Sequence, residues 1–227
     1  MPTYQSQQLL NKLQEQTEQF LTQAIGEWQM TKPSKLLRQP GENKWSAAQC
    51  LEHLNSYGRY YLAEMEAAIE RARCSGLEAK EEFKTGFLGN YFTQMMLPKE
   101  GKQKKMKSPK DHQPVANLNA DEVVREFIDQ QERLIVLLEK ARKINLGKAR
   151  VPISIAKFIK LKLGDVFMFV VAHNHRHVLQ AERALATPAL KEEEKSNLSD
   201  DHFFYFAWPA VTKASITKRQ KITLKST

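Results

Sequence analysis

The sequence predicts an all-α protein, a four-helix bundle with a long crossover between helices two and three. Three observations lead there. Apolar residues recur three and four apart, the spacing of a buried helical face, in four separate stretches. Gly and Pro are scarce at nine each, while Leu, Ala, Glu, Lys and Gln are plentiful. The second and third stretches are separated by residues 77–118, enough chain to return to the starting end, so those two helices can run parallel. Hydrophobic residues at 41% and charged residues at 27% are ordinary for a globular chain of 227 residues.

The first helix is expected from about Gln5 to Trp28, with Leu9, Leu13, Phe20, Ala24 and Trp28 on one stripe. Lys32-Pro33-Ser34 and Gln39-Pro40-Gly41 break it. Ser46-Ala47-Ala48-Gln49 opens the second helix as a capping box, with Trp45 placed to staple it, and the helix runs to Cys74-Ser75-Gly76. Leu51, Leu54, Tyr61, Met65 and Ala68 form its inner face. In the 77–118 connection, Phe83, Phe87, Leu88, Tyr91, Phe92, Met95 and Met96 predict a short apolar helix packed on the bundle. A lysine-rich insertion at about 98–114 follows. Asn119-Ala120-Asp121-Glu122 caps the third helix, which continues to about Lys143 with Val123, Phe127, Gln130, Leu134, Leu137, Leu138 and Ala141 inside. The fourth runs from about Asp165 to Ala186, before Pro188. No strand series is evident. The bundle is thus expected over 1–187. A C-terminal extension, 188–227, contains the aromatic run His202 to Pro209 and a basic end.

The formal charge of +9 raises the question of nucleic acid. Lys99–Asp111 and Lys213–Thr227 together hold the whole excess, at +4 and +5, and the rest of the chain is balanced. Basic loops and tails are usually solvated surface, and no aromatic residue interleaves Lys99–Lys110, so nucleic-acid binding is disfavoured. The start of the chain lacks the layout of a signal peptide, and the longest apolar run, Val166–Ala172, is too short to cross a bilayer. Cys50 and Cys74 do not form a CxxC or a disulfide scaffold, so the expected setting is a reducing cytoplasm without a membrane.

Chemistry is sought among the histidines. His173 and His177 lie four apart, one turn along the same face of the fourth helix, and share it with Val166, Val170, Ala181 and Ala184. His175 is rotated away and expected in solvent. An HxxxH pair alone fits equally two core-edge histidines bonded to their neighbours, and a metal requires a third ligand. His53, flanking the inner stripe of the second helix, is the best candidate. Cys50, three residues earlier, is read as a small core residue rather than a ligand. A di-iron site fails because none of these histidines has a Glu three residues before it. His112 and His202 fall in expected loops and are given no role.

The segment Trp45-Ser46-Ala47-Ala48-Gln49-Cys50-Leu51-Glu52-His53-Leu54 resembles the W-S…H-L motif of the DinB/YfiT-like superfamily. Ala172-His173-Asn174-His175-Arg176-His177-Val178-Leu179-Gln180 resembles its second motif. The resemblance spans about 5–186 and implies a crossover four-helix bundle holding one divalent metal through His53, His173 and His177. Zinc is the default, with nickel or iron open. It also implies a small-molecule substrate and a metal-dependent hydrolase or thiol S-transferase, the latter with a low-molecular-weight thiol; a homodimer is open. Gln180 and Tyr57 are the catalytic candidates, and Arg176 is the candidate for binding an anionic substrate group. The alternative is a non-catalytic helical interaction module with a structural metal or none. The ligands cannot choose between hydrolysis and thiol transfer, because both need the same three.

Overall fold

The computed structural model describes residues 1–98 and 108–188. The expectations for Lys99–Lys107 and for 189–227, His202 and its aromatic run included, lie outside the described residues.

Four long helices dominate. α1 (Ser6–Gln23) passes into a π-helical turn, Ala24–Trp28, so the first helix ends where its apolar stripe ends. After the short α2 (Pro33–Leu37), α3 (Ala47–Cys74) starts at the expected capping box. Ser46 Oγ accepts from Gln49 N at 3.2 Å, and Gln49 Oε1 accepts from Ser46 N at 3.0 Å. α4 (Phe87–Met96) is the short apolar helix of the connection. α5 (Ala120–Ala141) begins at Asn119, whose side chain accepts from the Asp121 and Glu122 backbone N–H groups. α6 (Leu163–Ala186) is the most deeply embedded: every residue from Leu163 to Asn174 is buried.

α3 packs against α5 and α6, α1 packs against the same two, and α4 lies on α6. Trp28, Leu51, Met65, Phe127, Leu134, Leu138 and Phe167 fill the space between them, with Trp28 5.8 Å from the Phe127 ring. The polar contacts across α3 and α5 advance together: Asn55 Nδ2 donates to Val123 O, Arg59 to Glu126, and Arg133 to Glu66. Within α5 the buried glutamine is Gln131 rather than Gln130. Gln130 instead reaches sideways to the Asn55 carbonyl at 3.1 Å.

Two small antiparallel sheets were not foreseen. β1 (Thr3–Gln5) pairs with β2 (Glu82–Lys84), and β3 (Arg150–Ile153) pairs with β4 (Ala156–Lys162). They exist because single apolar residues are buried from otherwise polar segments. Phe83 carries β2 into the core, while Val151 and Leu161 face each other in the second hairpin. Three of the strands span only three or four residues, and the longer β4 buries only Leu161, so too little alternation is left to read as strands. Phe83 also explains Gly164 at the start of α6, where an added Cβ would sit 2.6 Å from the phenyl ring.

Candidate metal centre

The capping box fixes where α3 begins, and His53 follows seven residues after Ser46, on the face turned toward α6. The aromatic pairs run in opposite directions along the two helices: His53 lies by His177 and His173, Tyr57 by His173, and Tyr61 by Phe169. α3 and α6 are therefore antiparallel here, and His53 meets the His173/His177 pair at its own level.

The three imidazoles converge. Their ring centroids are 5.0 Å (His53–His173), 4.6 Å (His53–His177) and 4.8 Å (His173–His177) apart, and one ligating atom from each lies within 4.8 Å of the others. His53 Nε2 and His173 Nε2 are 3.1 Å apart, close to the roughly 3.3 Å expected between two nitrogens on one tetrahedral metal. All three rings are buried.

Hydrogen bonds select the tautomers. His53 Nδ1 is 2.7 Å from the carbonyl of His112, which can only accept, so the proton sits on Nδ1 and Nε2 presents its lone pair to the cluster. Gln180 Oε1, 2.9 Å from His177 Nδ1, does the same for that ring. Burial, the largest cause, lowers His53 to about 4 and His177 to about 3, and drives His173 well below the usual imidazole range. Near neutral pH all three are uncharged bases, the form that binds a metal. The donor set therefore fits a divalent cation and can hold one.

A second layer surrounds the ligands. Trp45 lies 5.0 Å from His53 and 6.0 Å from His177, so the residue expected only to staple the helix also covers two ligand rings. The Tyr57 ring is 4.5 Å from that of His173. Burial, then Tyr61, pushes the Tyr57 hydroxyl up to about 12, which keeps it protonated.

His112 corrects the reading that gave it no role. It is buried, its ring stacks on Tyr57 at 3.8 Å, its Nδ1 is 3.0 Å from Ser56 Oγ, and its Nε2 is 3.2 Å from Ser154 Oγ. It ties the 3₁₀ turn Lys110–His112 to α3 and to the β3–β4 turn while its carbonyl holds His53. No periodicity could reveal it, because the residue lies in a loop and acts partly through its backbone. His175 also differs from expectation. It is half-buried and stacks on Phe20 of α1 at 5.9 Å, since α1 covers the side of α6 opposite the ligands.

The centre lines a cavity of about 710 Å3. Its aromatic and apolar lining includes Tyr57, Tyr61, Phe92, Met95 and Phe169, and its polar lining includes Lys44, Arg176, Gln180 and Arg183. Arg176 Nη1 lies 3.5 Å from the Met95 carbonyl, and burial followed by Arg183 lowers its pKa. Cys50 is fully buried, burial pushes its thiol up to about 12, and it is not in the group of side chains that converge with the three histidines. No helix among the described residues is long and apolar enough to cross a membrane.

No curated protein and no solved structure matches the chain. Residues 9–181 match the DinB superfamily over a span that contains the whole three-histidine centre. With most of its length accounted for in this way, the chain belongs to the DinB superfamily.

Proposed function

We propose that the protein is a metal-dependent enzyme, a hydrolase or thiol S-transferase, using one divalent ion held by His53, His173 and His177. The observation that carries this is the opening of three neutral, converging imidazoles onto a cavity. A structural zinc is closed by four protein ligands, whereas a catalytic one keeps a position for substrate or water. Zinc is the preferred metal, with nickel or iron the alternatives for the same nitrogen donors.

Bound there, the cation supplies Lewis acidity toward a water, a thiol or a carbonyl. The chain supplies the rest. The His112 carbonyl and Gln180 keep two ligand rings in the binding tautomer. Tyr57, whose ring is 4.5 Å from that of His173 and whose hydroxyl stays protonated, would serve as an O–H donor to developing charge. Arg176, a cation in the cavity lining, would attract an anionic substrate group, and the apolar part of the lining would limit the entry of water. A low-molecular-weight thiol is the natural second substrate if sulfur is transferred. We also infer that residues 1–187 form one four-helix bundle with a crossover. The matched advance of Asn55–Val123, Arg59–Glu126 and Glu66–Arg133 supports it, since it is the signature of parallel neighbours joined by a long connection.

Elemental analysis of tag-free protein purified without chelator tests the reading, beside a His53→Ala, His173→Ala double variant. The expected result is close to one equivalent of zinc, nickel or iron, lost in the variant together with any ester-hydrolysing or thiol-transferring turnover. Wild-type protein that takes up no metal on reconstitution would refute the centre. Metal bound with turnover unaffected by its removal would favour a non-catalytic interaction module.

A further inference from the structure

The described residues lining the cavity include Lys44, Arg176 and Arg183 and no Asp or Glu. The nearest carboxylate on this stretch of α6, Glu182, accepts from Gln23 of α1 at 2.7 Å. Neutral imidazoles add no negative charge, so a divalent ion would increase an already positive field.

The charge is also sorted along the helix. In order along α6, the lining residues are Phe169, His173, Arg176, His177, Gln180, Arg183, Ala184 and Thr187. Phe169 therefore lies before the ligand pair and Arg183 beyond it, with Arg176 between the two ligands. At about 1.5 Å per residue, Arg183 lies roughly 9 Å beyond His177 along the axis. The 38–45 segment runs beside these last turns, from Arg38, whose Nη2 donates to the Thr187 carbonyl at 2.5 Å, to Trp45, 6.0 Å from His177, and Lys44 just before Trp45 is in the lining. At the other end Phe169 meets Phe92 at 6.4 Å and Tyr61 at 5.7 Å. Tyr61 is itself anchored, its hydroxyl accepting from Ser154 N at 3.3 Å. That wall is a fixed aromatic surface.

We propose that the substrate is an amphipathic organic anion: an aromatic or comparable apolar body against Tyr61, Phe92 and Phe169, and an anionic head toward Arg183 and Lys44. The bond that reacts lies between them, at the level of the histidines. This deepens the enzymatic reading above and rests on it for the reaction, but the binding preference does not require the metal. An anion relieves the mutual repulsion of the cations, and the aromatic wall rewards a body that a small hydrophilic anion lacks.

The test uses the full chain, once loaded with zinc and once stripped with chelator, and three probes of one shape: phenylhexanoate, neutral phenylhexanamide and cationic phenylhexylamine. Calorimetry is expected to rank acid over amide by about tenfold, with the amine weakest, in both forms of the protein. Arg183→Gln combined with Lys44→Gln is expected to bring acid and amide to near equality, with zinc content and melting temperature retained. Equal binding of acid and amide in the wild type, a preference that survives the double variant, or binding of none of the three would overturn the proposal. So would a preference confined to the zinc-loaded form, since that is direct ligation of the metal by the carboxylate. Failure of the metal reading would appear separately, as absent zinc, while the stripped arm still reports on the anion seat.

Discussion

His112 does not belong to the ligand set, yet its carbonyl accepts a hydrogen bond from His53 Nδ1. Its ring lies on Tyr57, and Ser56 and Ser154 hold both imidazole nitrogens. Such outer partners commonly tune metal affinity by about 10–100-fold. His112→Ala should weaken cobalt or zinc binding in that range, measured by competition with a chromophoric chelator, and should alter the visible spectrum of the cobalt form. His112→Gln, which can still bond to both serines, should recover most of the loss. Equal affinity in all three proteins would remove the His112 ring from the centre and leave only its carbonyl there. The contrast with the ligands shows what a sequence displays at this scale. His173 and His177 announce themselves by helical spacing, and His53 by the motif after Trp45. The His53–His112 contact crosses 59 positions into a loop, and the atom involved is a carbonyl that every residue has.

Helices were the most legible elements, because their ends are chemical. Ser46 and Gln49 form the box that their identities promise, and Asn119 caps α5 as its position suggests. Ser46→Ala should therefore cost about 1 kcal/mol, read from denaturant midpoints. The strands were illegible for the complementary reason: β2 and β3 each bury one or two side chains, fewer than a period needs. Two glycines make a sharper test of packing between elements. At Gly58 an added Cβ would fall 1.7 Å from Gln130 Oε1, but that is the end of a flexible side chain. Moving it forfeits the Gln130–Asn55 bond, about 1 kcal/mol, which the helix preference of Ala over Gly roughly offsets. Gly58→Ala should be close to neutral. At Gly164 the obstacle is the wholly buried Phe83 ring, which has nowhere to turn, so Gly164→Ala should cost about 1–3 kcal/mol. Comparable stability losses in the two variants would mean that the clash distance, rather than the compliance of the neighbour, decides the outcome.

Across the whole molecule, the centre couples two helices that meet antiparallel, α3 through His53 and α6 through His173 and His177, so acid and metal removal should act on the same joint. In the folded metal-free chain His53 titrates at about 4 and His177 at about 3, both depressed by burial; unfolded, each would take its proton near 6.5. Between those values the unfolded chain binds more protons, and the stability the neutral rings contribute is complete above about 6.5. It drains as pH falls from about 6.5 toward the folded values, by up to about 1.4 kcal/mol per pH unit for each histidine. The contributions of His53 and His177 should flatten only below about pH 3, once those two rings are protonated in the folded chain as well. A cation bound to the folded form alone adds stability by mass action, about 2.7 kcal/mol at a hundredfold excess over its dissociation constant. The metal competes with the same protons. Melting temperatures recorded from pH 8 to pH 4 should therefore show the zinc-loaded protein above the chelated one at neutral pH, with the gap narrowing as acid displaces the ion. The chelated protein alone should already decline below about pH 6.5, and His53→Ala with His173→Ala should remove most of that slope. A chelated wild type with a flat profile down to pH 4 would mean that the three rings reach the folded state already charged, which is incompatible with their burial and with the tautomers that the His112 carbonyl and Gln180 impose.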